Sequence, residues 1–212
     1  MSVVLVISVH PDDETLGCGG TILKHVAEGD EVFCAHVTVG NKDQGKLIEK
    51  IKNEYGFVNS FSLGFIENTI DDISLNDLIS EFTKIIQQVK PQVMYVPNRS
   101  DIHSDHRRVF EALSSCMKSF RFPFIRKILM CEVLSETDFA PALIENVFIP
   151  NVYVDISKYF KRKKQILDLF KTEILPSPFT RSFRAIEAHN IYRGSQINAY
   201  YAESFMLLKE II

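Results

Sequence analysis

The chain has 212 residues, 46% apolar and 24% charged, with a formal net charge of −3. That suffices for one sizeable α/β domain with its own core, and the charge gives no footing for wholesale binding to nucleic acid or to an anionic membrane. No apolar run reaches the roughly 18 residues of a membrane-spanning helix, and the apolar start has no basic segment of the kind a secretion signal needs.

The first expected element is a buried strand over Val3–Val9, followed by a helix over Asp13–Glu28 that ends at Gly29-Asp30. A strand is expected over Glu31–Val39, a polar loop over Gly40–Gly45, and a helix over Lys46–Tyr55 with Gly56 as its C-cap. Val58–Leu63 reads as a weaker strand. Leu75–Val89 repeats apolar residues at helical spacing. Gln92–Val96 is a fourth strand, and Pro97–Asp105 is a polar loop before a helix to about Met117. Further on, Lys127–Leu134 and Asn151–Asp155 read as strands, Ser157–Phe170 and Ser182–Arg193 as helices, and Ala202–Leu208 as a last strand or helix. Alternation of this kind predicts a mostly parallel, Rossmann-like α/β sheet flanked by helices. No linker or repeat divides the chain.

Residues 1–100 carry 8 Lys/Arg against 14 Asp/Glu, and residues 101–212 carry 16 against 13, so the acidic charge gathers in the first half. The cysteines Cys18, Cys34, Cys116 and Cys131 have no Cys-x-x-Cys spacing and are expected as small packing residues in a reducing cytoplasm.

Chemistry is concentrated at His10-Pro11-Asp12-Asp13-Glu14, an imidazole and three carboxylates at the carboxyl end of the first strand. That edge is where open α/β sheets place ligands, and adjacent carboxylates call for a cation or hydrogen bonds. Asp101-Ile102-His103-Ser104-Asp105-His106 follows the fourth strand and falls on the same edge. Histidine with carboxylate suits zinc, and a catalytic zinc takes three protein ligands. His10 and Asp13, three apart, can face one point. Asp12 must then point elsewhere and is free to accept a proton. His106 can complete the set from the other loop. His103 can donate to an oxyanion, and Asp105 can either fix His103 or orient a ligand histidine. The plain alternatives are a capped helix start and a solvated loop. Glu14 reads as structural, His25 and His36 as ordinary helix and strand residues, and Lys158–Lys164 as a solvated face.

At these residues the chain resembles the PIG-L/LmbE family of zinc-dependent N-acetylglucosaminyl deacetylases. His10-Pro11-Asp12-Asp13-Glu14 is similar to the family's first signature and His103-Ser104-Asp105-His106 to its second. Leu63-Gly64-Phe65, Val154-Asp155-Ile156-Ser157 with Lys163, and Arg193-Gly194 with Tyr201-Ala202-Glu203-Ser204-Phe205 also fit. The resemblance implies one LmbE-like deacetylase domain over residues 1–212. It implies Zn2+ on His10, Asp13 and His106, Asp12 as general base, and His103 stabilising the oxyanion with Asp105 in support. Many members carry an Arg and a Glu after the second strand, where this chain offers only Lys42 or Lys46.

The expected reaction is removal of an N-acetyl group from an amino sugar or sugar conjugate, a small-molecule substrate, in the cytoplasm. Arg99, Arg184 and Arg193 are candidates for substrate contact, the last two also for structural ion pairs. Alternatives are a zinc amidohydrolase acting on a non-sugar acyl-amine, or a non-catalytic sugar- or nucleotide-binding module. A homo-oligomer is compatible with the resemblance, although no residue is a sign of one.

Overall fold

The computed structural model describes residues 1–39 and 42–212, with the side chains of all of these except Lys42 and Asp43. In chain order the elements are β1 (Val3–Ser8), α1 (Asp13–Ala27), β2 (Glu31–Thr38), α2 (Lys42–Tyr55), β3 (Asn59–Phe65), α3 (Leu75–Val89), β4 (Val93–Val96), α4 (Ser104–Ser114), β5 (Lys127–Cys131), β6 (Val152–Asp155), α5 (Phe160–Leu167), α6 (Phe183–Ser195) and β7 (Ala202–Glu210), with single 3-10 turns at Ile70–Asp72 and Ile144–Asn146. The strands form one sheet in the order β3-β2-β1-β4-β5-β7-β6. β1 to β5 are mutually parallel, whereas β7 runs antiparallel to both β5 and β6. Strand order reverses between β1 and β4, and a doubly wound sheet opens its ligand crevice at that point.

Why these residues build these elements is clearest at β1 and α3. Val4–Val6 are at most 1% exposed, because helices cover both faces of the central strand. In α3 the residues at helical spacing, Leu78, Phe82, Ile85, Ile86 and Val89, are all buried. Ser74 caps that helix by accepting the Asp77 amide at 3.1 Å, and Lys90 ends it in a left-handed conformation. One core layer centres on α3 and α4, the other on α1, α5 and the opposite sheet face.

Three expectations shift. α2 begins at Lys42, not Lys46, so the loop expected over Gly40–Gly45 is largely helix; Gly40 and Asn41 lie outside the described residues. The helix expected over Ser157–Phe170 shortens to Phe160–Leu167. Lys163 is not on a solvated face: it is wholly buried, and its Nζ donates to Glu203 at 2.7 Å and to the Leu16 carbonyl at 2.9 Å.

That pair belongs to a joint which positions α1. The helix breaks at Cys18 (φ −145°), so amides in its second half lack helical acceptors. Glu203 takes them, accepting from the Gly20 and Thr21 amides at 2.8 and 2.7 Å and from the Thr21 hydroxyl at 2.6 Å. Gly20 is required there, since a Cβ would come within 2.7 Å of Ile156. α1 is thereby held on both sides of the break, by Lys163 of α5 at the Leu16 carbonyl and by Glu203 of β7 at the Gly20 and Thr21 amides. Among the described residues no helix is long and apolar enough to cross a membrane.

Candidate metal centre

The loop after β1 turns into α1 through Asp12, whose φ of 150° is unfavourable for a residue with a side chain. Asp13 closes the turn: its Oδ2 accepts the His10 amide at 2.8 Å. Glu14 points inward, where it accepts from the Thr15 hydroxyl at 2.7 Å and lies 2.7 Å from the Ser8 hydroxyl. These contacts agree with a structural role. After β4, His103 is the N-cap of α4 and Ser104–His106 form its first turn.

The two segments meet. His106 Nε2 lies 3.3 Å from His10 Nδ1 and 3.2 Å from Asp13 Oδ2, and the third side, His10 Nδ1 to Asp13 Oδ2, is 3.8 Å. Ligands about 2.0–2.2 Å from a tetrahedral ion are separated by about 3.3–3.6 Å, so the triangle has the size of one face of such a shell. Both imidazoles are backed by acids. His106 Nδ1 donates to Asp101 Oδ2 at 2.8 Å, while Asp101 Oδ1 accepts from Asn98 and Thr137 at 2.9 and 2.7 Å. His10 Nε2 donates to Asp105 Oδ2 at 3.1 Å. Each backing acid fixes the proton on the outer nitrogen and leaves the inner lone pair aimed at the shared point. Asp13 Oδ1 is buried without a hydrogen-bond partner. The residues present therefore fit a divalent cation of the zinc type.

The electrostatics agree. Burial opposes the charge of Asp13, but His106 and His10 outweigh it and hold the carboxyl low; burial likewise opposes charge on His106, and Asp13 with Asp101 pushes that imidazole up. The corner thus demands positive charge. A second group of donors, His10, Glu67 and His103, also lies within 4.8 Å, but it reuses His10 and includes the exposed Glu67.

The site opens into a cleft of about 280 Å³ bordered by His10, Asp12, His103, Glu136, Glu173 and Arg181. Asp12 Oδ2 accepts from Arg181 at 2.9 Å, and its Oδ1 is buried and unpartnered. Burial raises the Asp12 carboxyl well above its usual range, Asp13 adds to this and Arg181 opposes it. Asp105 sits closer to His10 than to His103, at 3.1 against 3.9 Å. The His103 Nδ1 instead accepts the Asp105 amide at 3.2 Å, which leaves its proton on Nε2. Burial and the neighbouring His10 lower the His103 pKa.

Arg181 also donates to Glu136 at 3.0 Å and to Glu173 at 3.5 Å. Sequence reasoning missed it, because it lies in an irregular segment before α6 with no motif around it. Asp101 was visible as part of the second cluster, but its distance of five residues from His106 gave it no role. The arginines singled out from sequence stand elsewhere. Arg193 makes a two-pronged pair with Glu132 at 2.6 and 3.0 Å. Arg99 donates to the Glu145 carbonyl, and Arg184 is exposed in the first turn of α6. The Lys42 side chain lies outside those described. His25 is tied to Asp30 at 2.7 Å and Tyr95 at 2.9 Å. His36 is buried in β2, where desolvation lowers its pKa to about 4.

A doubly wound sheet with an acid-backed His-Asp-His corner at its switch point, of a geometry that could hold a metal ion, defines the class of α/β fold to which the chain belongs. The chain belongs to the PIG-L family, described as GlcNAc-PI de-N-acetylase, which it matches over residues 5–117. It is 29% identical over 120 residues to the uncharacterised deacetylase YaiS of Escherichia coli K12, a match covering 51% of this chain and 64% of YaiS, so it spans less than two thirds of that relative. It is 28% identical over 162 residues to a probable N-acetyl-alpha-D-glucosaminyl L-malate deacetylase 2 of Bacillus cereus, covering 64% of this chain and 73% of the relative. N,N'-diacetylchitobiose deacetylase of Pyrococcus horikoshii superposes with a TM-score of 0.74 at 21% identity, over 97% of this chain and 83% of that one. The fold is that of the LmbE-like deacetylases.

Proposed function

We propose that the protein is a zinc-dependent hydrolase, a single domain that removes the N-acetyl group from an N-acetylated amino sugar or sugar conjugate. The observation that carries this reading is the triangle of His10, Asp13 and His106 donor atoms, backed by Asp101 and Asp105, beside the unpartnered Oδ1 of Asp12. Family membership supports the reaction class. The names of the Bacillus and Pyrococcus proteins support an amino-sugar substrate.

His10, Asp13 and His106 would hold the zinc ion, which would supply Lewis acidity to polarise an amide carbonyl and to lower the pKa of water. Asp12 Oδ1 takes the proton of the water that attacks the carbonyl carbon, while Arg181 on Oδ2 fixes the carboxylate. His103 donates its Nε2–H to the developing oxyanion, and the Asp105 amide on Nδ1 holds that tautomer. The C–N bond then breaks: Asp12 returns its proton to the leaving amine, and acetate departs. Burial favours the protonated Asp12 that this step requires.

Acetate release from N-acetylglucosamine, its glycosides and N-acetyl amino acids tests the reading. Release from the sugars is expected, and release from the amino acids alone would move the assignment to a general acyl-amine hydrolase. Asp12→Asn is expected to retain bound zinc but lose about 10²-fold or more in turnover. Near-normal turnover in that variant refutes the base assignment.

A further inference from the structure

The net charge of −3 conceals an uneven surface. On the sheet edge opposite the reaction cleft, the segment between α4 and β5 holds out Phe120, 85% exposed, between the exposed Lys118 and Arg121. The turn there is tight, since the Lys118 carbonyl accepts the amides of Arg121 and Phe122 at 3.0 and 3.1 Å. Other cations are fastened around it. Lys209 Nζ donates to the Met117 carbonyl at 3.0 Å, and Arg126 Nε to the Ile211 carbonyl at 3.1 Å. Lys90 ends α3 two residues before Gln92, whose carbonyl accepts the Arg126 amide at 2.8 Å. Glu210 on this edge is already paired, with Lys127 at 2.6 Å. Among the described residues, none of Lys90, Lys118, Arg121, Arg126 and Lys209 forms a salt bridge. Five like charges on one edge repel one another and gain from an anionic counterpart.

We propose that this edge docks the protein on an anionic lipid bilayer, with the Phe120 ring below the headgroups and the cations against the lipid charges. The ring leads on a projecting turn, so it can be immersed, while the cations beside it stay at headgroup level. A single-stranded nucleic acid is held differently, by a groove in which successive bases stack on several rings. Here one ring is offered, because the neighbouring Phe122 is only 1% exposed. The attachment is reversible: each Lys or Arg near the charged surface contributes about fivefold in affinity, and one partly inserted ring about tenfold. β1, β4 and β5 run parallel from this edge toward the cleft. The docked protein therefore turns its cleft to the water, where it meets soluble molecules and not lipids of the same bilayer.

Cosedimentation of the full chain with vesicles tests it. Binding is expected with an equimolar mixture of phosphatidylglycerol and phosphatidylcholine at low salt, and its loss at about 0.5 M salt or with phosphatidylcholine alone. Lys118→Glu/Arg121→Glu should weaken binding at least about 25-fold, and Phe120→Ser about tenfold. Because these side chains face solvent, circular dichroism of the variants should match the parent. The chain has no tryptophan, so Phe120→Trp installs a single reporter. Its emission should shift to the blue on binding and be quenched by lipids brominated on their acyl chains. Failure to bind the anionic vesicles, binding unmoved by the charge reversal, or an unchanged emission in bound protein overturns the proposal. Tighter binding to single-stranded DNA than to the vesicles, lost in the same double substitution, assigns the edge to nucleic acid and overturns it too. None of these readouts involves acetate release, so the docking edge stands or falls apart from the deacetylase reading.

Discussion

Asp101→Asn asks how strongly a buried acid tunes the metal corner. Asp101 is 0% exposed and spends both oxygens: Oδ2 on His106 Nδ1 at 2.8 Å, Oδ1 on Asn98 and Thr137. Asparagine keeps the shape but turns one acceptor into a donor. If its NH2 faces Asn98 and Thr137, donors confront a donor in a dry pocket. If it faces His106, the imidazole must move its proton to Nε2, the atom aimed at the ion, and binding must then displace that proton. Outer partners of this kind change metal affinity by about 10- to 100-fold, or about 1.4–2.8 kcal/mol. Competition against a chromophoric zinc chelator measures the change directly, and circular dichroism of the zinc-free variant separates it from misfolding. Affinity within a factor of about two of the parent would refute the reasoning, since a loss near the lower bound is about tenfold.

Three further outcomes are expected. Removing the metal with a chelator should abolish acetate release and lower the melting temperature, and zinc should restore both; unchanged melting would mean that no ion is held by the folded state. Lys163→Met should leave the Glu203 carboxylate buried without its cation and cost about 3–5 kcal/mol in urea unfolding, and a loss below about 1 kcal/mol, the scale of an exposed pair, would exclude the joint at Cys18 as a support. Glu132 sets an acid limit. Burial tends to raise its pKa, but contacts from His189 and Arg193 prevail and hold it at about 2. A carboxylate depressed in the folded state stabilises fully above its unfolded pKa of about 4.3, and loses that contribution as pH falls toward 2; the difference corresponds to about 3 kcal/mol. Glu132→Gln should flatten the stability profile in that window, and an unchanged slope would contradict the assignment.

Much of the frame was legible because its signals are local. The uninterrupted apolar run of β1 identifies a strand buried on both faces, and the spacing from Leu78 to Val89 gives α3 to the residue. The metal corner was legible as composition at two strand ends, since a parallel sheet brings such ends to one edge. What escaped depends on distant partners. Nothing within Ala202–Glu210 says that β7 inserts between β5 and β6 and runs against them. Lys163 looks like its solvated neighbours until Glu203 is placed beside it. The attachment of Asp105 to His10 could not be read either, because it spans 95 residues while His103 is only two away. Arg181 reaches Asp12 across 169 residues from a stretch of no regular structure.

The position of β7 also dictates an order of assembly. β2 to β5 can each pair on emerging from the ribosome, for each has one sheet neighbour already made: β1 for β2 and β4, β2 for β3, and β4 for β5. β6 cannot, because its sheet partner is synthesised only after it. The amides of Gly20 and Thr21 must likewise wait about 180 residues for their acceptor. A nascent chain halted before residue 202 would therefore expose the open edge of β5 and leave the helix behind the acidic motif unanchored. Such a fragment is a target for chaperones and proteases and holds no finished catalytic pocket.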